Sequence, residues 1–154
     1  MSLQPKNALT ATQIEKLMTY VKTHLRKTVR AHLRDKGQCW SFPYMALKEV
    51  GGEVPDAGPG DAINTWGETI PSNQLKKGDI IQISGAIRLK TTDGDTHHFS
   101  HHSMLVLAVT EDLIRGKAVK VAHQWVKQPV RIDEYRLPYS LNKLLFFRPR
   151  RKLD

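Results

Sequence analysis

Apolar residues recur at helical spacing near the N-terminus: Ile14, Leu17, Met18, Val21, Leu25, Val29 and Leu33. The spacing predicts one long amphipathic helix over residues 11–36. Thr12 with Glu15 offers a capping box at its start, and Gly37 a natural stop. Lys22, Arg26, Lys27, Arg30 and Arg34 fall on its outer face. A second helix is predicted over roughly residues 40–50, closed by Gly51 and Gly52. Residues 51–79, rich in Gly, Pro and Asp, read as loop with one helical turn around "DAINTWG". A stretch of that length exceeds a plain connector and suits a site-lining role.

Beyond "LKKGD" the pattern changes to that of strands. "IIQISGAIRL" reads as one strand or two, and "TTDGDT" as a turn. "HHSMLVLAV", "KAVKVAHQWV", "VRIDEYRL" and "KLLFFRP" read as further strands, with a short helical turn over residues 138–143. Two helices followed by an antiparallel sheet of about five strands make an α+β fold, expected as a single domain over residues 1–154.

Composition narrows the class. Hydrophobic residues make up 40% of the 154 and charged residues 25%, as in ordinary globular domains. No apolar run reaches the roughly 20 residues needed to span a bilayer. Charges throughout residues 11–36 exclude a secretory signal there, so the expectation is a cytoplasmic protein or one exported by another route. One cysteine rules out an internal disulfide and any cysteine-rich zinc finger. The net charge of +9 attracts polyanions, which makes the basic first helix a candidate surface for an anionic polymer, although a solvated face is the simpler reading.

Cys39 directly precedes the second predicted helix. A thiolate is the nucleophile in thiol hydrolysis, and a helix start with a nearby imidazole favours it. A strand histidine and a third polar group would complete the set. His101 and His102 open the most apolar strand, and His123 and Gln124 lie near the end of the next. Alternation puts His123 and Trp125 on one face and Gln124 on the other. The bland alternative is a buried small apolar cysteine, the commonest role of a lone one.

"GQCW…ALKEVGG" resembles the nucleophile segment of CHAP-type amidohydrolases/peptidases and of NlpC-like hydrolases, cysteine enzymes of papain-like fold. "NTWG", "LKKGDIIQI", "HHSMLVLAV", "VAHQW" and "FFRP" follow in the order of that pattern. The pattern is most similar to the cysteine-proteinase-like domain also found in fungal actin-patch scaffold proteins, and it covers residues 37–150. The resemblance implies a papain-like α+β core with Cys39 as nucleophile and His102 as base. "SMLV" after His102 fits a "TAIV" pattern; with His101 as base, Ser103 would be the small residue two positions on. It implies His123 as the third member, where NlpC-like enzymes often carry His. CHAP-like sequences often read Glu-Gln-Asn where this chain reads His123-Gln124-Trp125. The implied activity is amidase or thiol protease, with no cofactor, on peptide or peptidoglycan-like amide bonds of a cell wall.

The backbone N–H of Cys39 is the natural oxyanion donor, with the Gln38 side chain as a second candidate. Trp66 and Asp61 are candidates to rim a cleft or to pin the long loop. Pro43 leaves the Cys39 carbonyl without its i+4 helical partner. A zinc site in "HHFSHH" is disfavoured: His98 and His102 would be roughly 13 Å apart along an extended strand. No specific nucleic-acid motif is present. The rival reading is a non-catalytic module that works through the basic helix.

Overall fold

A computed structural model describes residues 7–31, 38–55, 66–112, 114 and 116–153. Helix α1 spans Ala11–His24 and α2 Ser41–Glu49. Strands follow as β1 Glu68–Thr69, β2 Ile80–Lys90, β3 Thr96–Asp112, β4 Gly116–His123, β5 Arg131–Arg136 and β6 Leu144–Arg148. A 3-10 turn over Ser72–Gln74 lies between β1 and β2. All paired strands are antiparallel, in one sheet ordered β1-β6-β2-β3-β4-β5. The α+β class is as expected, with six strands among the described residues rather than about five. The sixth is the two-residue β1, too short to leave a periodic signal.

The first helix differs from the expectation. It ends at His24, not near residue 36. Leu25 leaves the helical region and Arg26 has φ 68°, so the chain swings toward the sheet. There the Arg26 N–H donates to the Val130 carbonyl at 2.9 Å, and the Val130 N–H donates to Lys27 at 2.9 Å. Val29 is still buried, but outside any helix; Leu33, Arg34 and the Gly37 stop lie outside the described residues. The capping box is Thr10 with Gln13, two residues before the Thr12–Glu15 pair. Residues 138–143 form no helix, only a turn closed by the Leu144 N–H on the Leu141 carbonyl at 3.0 Å, and most of "DAINTWG" lies outside the described residues.

Two apolar cores occupy the two faces of the sheet. Phe42, Ala46 and Leu47 of α2 and Leu17 and Val21 of α1 pack on Ile80, Leu105, Ala122 and Phe147. Ile81, Ile83, Met104, Val106, Val121 and Phe146 face the other way with Leu89, Phe99 and Tyr135. The alternation of each strand produces this split. The second core is closed by curvature. The register of β2 against β3 shifts between Ser84 and Ile87, where Gly85 takes φ 157°, and the hairpin bends there. Its tip reaches β5, with a bridge from Thr91 to Tyr135 and a Thr92 N–H to Glu134 carbonyl bond of 3.0 Å.

Candidate active site

Cys39 stands just before Trp40, the N-cap residue of α2. Its sulfur meets an open stretch of β3. The β3–β4 ladder reaches only to Leu105 and Ala122, so residues 101–103 have no strand on that side. On the other side β2 pairs Ser84 with His101, yet the Ser84 N–H points away, to the Lys143 carbonyl at 2.9 Å. The main-chain groups of His101 and Ser103 therefore face the open edge. Cys39 Sγ donates to the His101 carbonyl at 3.6 Å and accepts from the Ser103 N–H. The thiol occupies the place of a missing ladder partner. Burial pushes its pKa up, against the opposing hydrogen bonds from Ser103, Trp40 and its own N–H.

The structure brings His102 and His123 together, with Nε2 of His102 2.8 Å from Nδ1 of His123. Both rings lie on the face of Met104 and Val121, beyond the strand from α2, and both are buried. Trp125 stacks over His102 at 5.5 Å and over Phe99 at 5.6 Å between ring centroids. No hydrogen bond joins the Cys39 sulfur to a ring nitrogen of His102 or His101 among the described residues. The ring of His101 is exposed, on the face of Ser103 and Leu105.

Two residues that pattern reading passed over complete the chain of polar groups. Nε2 of His123 lies 2.7 Å from Oδ2 of Asp133. Arg131 holds the same carboxylate, Nε to Oδ2 at 2.8 Å and Nη2 to Oδ1 at 2.9 Å, and lies over the Trp125 ring. The only available signal was that Asp133 sits on the strand beside His123, across from Val121. Burial lowers the pKa of His102 well below the ordinary value, and the neighbouring His123 adds to this. For His123 burial also lowers it, outweighing the Asp133 carboxylate. Burial alone would raise Asp133, but the hydrogen bonds from His123 and Arg131 bring it down to about 2. At neutral pH the group is thus two neutral imidazoles on an ionised carboxylate.

The remaining candidates have other work. Gln124 lies on the helix side; its Nε2 donates to the carbonyls of Val29 and Gln38 at 2.7 and 2.8 Å, and its Oε1 accepts from Val29 at 3.0 Å. Gln38 Oε1 accepts from the indole of Trp40 at 3.1 Å. Trp66 is not a cleft rim. It is buried, with its indole donating to Gln82 Oε1 at 2.8 Å, an oxygen that Ser103 Oγ also reaches at 2.7 Å. Asp61 lies outside the described residues. Among the described residues no three His, Cys, Asp or Glu side chains are grouped to hold a metal ion, and no helix is long and apolar enough to cross a membrane.

No protein-family model, curated protein or solved structure matches this chain.

Proposed function

We propose that this protein is a cysteine amidohydrolase or endopeptidase of papain-like design. The observation that carries the reading is the oriented His102–His123 pair, whose His102 lies on the strand whose open edge holds the Cys39 sulfur. For the reaction the sulfur must leave the His101 carbonyl and close on His102 around the open edge of β3, where Nδ1 of His102 takes the thiol proton when a substrate carbonyl arrives. The sulfur then bonds the carbonyl carbon, and the main-chain N–H of Cys39 receives the oxyanion. The carbon–nitrogen bond breaks, His102 returns its proton to the leaving amine, and a thioester remains. Water deprotonated by His102 attacks the thioester, releasing a carboxylic acid and restoring the thiol. His123 orients His102. The resemblance in sequence points to peptide amides, with cell-wall peptide as the first substrate to try.

The raised thiol pKa supports a second reading, a non-catalytic module in which Cys39 only fastens α2 to β3. Its working surface would be the exposed Lys16, Lys22, Arg26, Lys27 and Arg30, offered to an anionic polymer.

One experiment separates the two. Wild type, Cys39→Ala, His101→Ala and His102→Ala are assayed on peptide and peptidoglycan-fragment amides. The hydrolase reading expects cleavage by wild type and His101→Ala, and loss in the other two. Cleavage that survives Cys39→Ala overturns it, and no cleavage by folded wild type overturns it in favour of the module.

A further inference from the structure

We infer that Asp133 is a positioning residue whose carboxylate, acting through His123, locks His102 in the tautomer that leaves Nδ1 without a proton. The geometry is a chain of three polar side chains from β5 through β4 to β3. A carboxylate oxygen can only accept, so the 2.7 Å contact places a proton on Nε2 of His123. A neutral imidazole with its proton on Nε2 has a lone pair on Nδ1. That lone pair lies 2.8 Å from Nε2 of His102, which must therefore donate. His102 then carries its single proton on Nε2, and Nδ1 is left as a base.

The lock is held at its far end. Arg131 donates from Nη2 to Oδ1 of Asp133 and its Nε lies 2.8 Å from Oδ2, so the carboxylate stays ionised and held in place. Around it, the Tyr135 hydroxyl stands 3.5 Å from Nε2 of His123 and 2.7 Å from Nδ1 of His97. Phe99 and Trp125 cover the rings and keep competing water from the two links. A buried polar chain of this kind has one low-energy proton arrangement, because reversing one link leaves two lone pairs or two protons face to face. The catalytic consequence, an Nδ1 ready to take the Cys39 proton, rests on the hydrolase reading; the tautomer itself does not.

Nitrogen NMR of the imidazole rings in the full chain at pH 7 tests the lock directly. In wild type His102 is expected to show a protonated Nε2 and an unprotonated Nδ1. In Asp133→Asn, where the charge is gone and the amide can present a donor, His102 is expected to become a mixture of both tautomers while the amide spectrum elsewhere is unchanged. A wild-type His102 protonated on Nδ1 overturns the inference, even if Asp133→Asn fails to fold. So does an unaltered single tautomer in a folded Asp133→Asn. In the amide assay Asp133→Asn is expected to lower kcat at least tenfold with KM little changed. If wild type cleaves no amide but shows the expected tautomer, the hydrolase reading fails and the lock stands.

Discussion

Gln124 and Val29 are joined by a pair of hydrogen bonds, one in each direction, between a strand-end side chain and a main chain 95 residues away. The same side chain reaches the Gln38 carbonyl, next to Cys39. Gln124 therefore pins both ends of the segment between residues 29 and 38. Truncation would strand buried main-chain groups at roughly 1–3 kcal/mol each. Gln124→Ala is expected to destabilise the fold by about 3 kcal/mol in urea unfolding and to speed alkylation of Cys39 in the native state. Gln124→Glu has no donor for the two carbonyls and is expected to be no better.

The buried pair of Asp79 and Arg148 gives a second prediction. Arg148 Nε and Nη2 reach the carboxylate at 3.1 and 3.0 Å, and Nη2 also holds the Gln74 carbonyl at 2.6 Å. Burial pushes the Asp79 carboxyl up, although Arg148 opposes it. Removing the guanidinium leaves an unpaired buried acid, which costs about 3–5 kcal/mol. Arg148→Met is expected to lose that much by chemical denaturation. The double variant Arg148→Met with Asp79→Asn is expected to recover part of it.

Acid should weaken the fold in a defined window. His102 and His123 have folded-state pKa values below the unfolded value, so below about pH 6.5 the unfolded chain binds protons that the folded chain refuses. Stability is complete above that pH and falls as the pH drops toward the folded pKa values. The limiting slope is about 1.4 kcal/mol per pH unit for each histidine. Asp133, held at about 2, adds loss of the same sign below the ordinary carboxylate pKa. Denaturation midpoints between pH 7 and 5 should fall in wild type and much less in a His102→Gln, His123→Gln double variant.

Gly67 and Gly94 form a matched pair for backbone tests. Both have positive φ, 134° and 103°. A Cβ on Gly67 would stand 2.2 Å from the Arg148 carbonyl oxygen, whereas one on Gly94 meets nothing within 4 Å. Gly94→Ala is expected to cost about 1 kcal/mol, the strain of the left-handed region alone. Gly67→Ala must also displace β6 backbone from β1, and a loss of several kcal/mol in thermal or urea unfolding is expected.

Hydrophobic pattern carried most of the fold. Strands β2 to β6 overlap the alternating or apolar runs, because each must cover one or both cores, although β3 runs from Thr96 to Asp112, past both ends of "HHSMLVLAV". The end of α1 was hidden because Leu25 and Val29 sit at helical spacing yet pack from non-helical chain, and spacing does not record main-chain partners such as Val130. Cys39, His102 and His123 were legible as chemical types. Their arrangement was not: the thiol's partners are main-chain groups at an open strand edge, which no residue type announces. Asp133 was missed because an acid in "VRIDEYRL" reads as the solvent side of an edge strand. Burial of that acid depends on the cross-strand contact with His123 and on Arg131 two residues before it.

The curl that carries Thr91 and Thr92 onto Tyr135 and Glu134 also bears on how the molecule behaves in company. Edge strands with free main-chain groups are templates on which other chains can dock and grow. Here one margin of the sheet is occupied by the protein's own hairpin, and the other is a strand of only two residues. Loosening the hairpin at Gly85 would uncover β5, so variants there should show themselves first as a tendency to self-associate at high concentration.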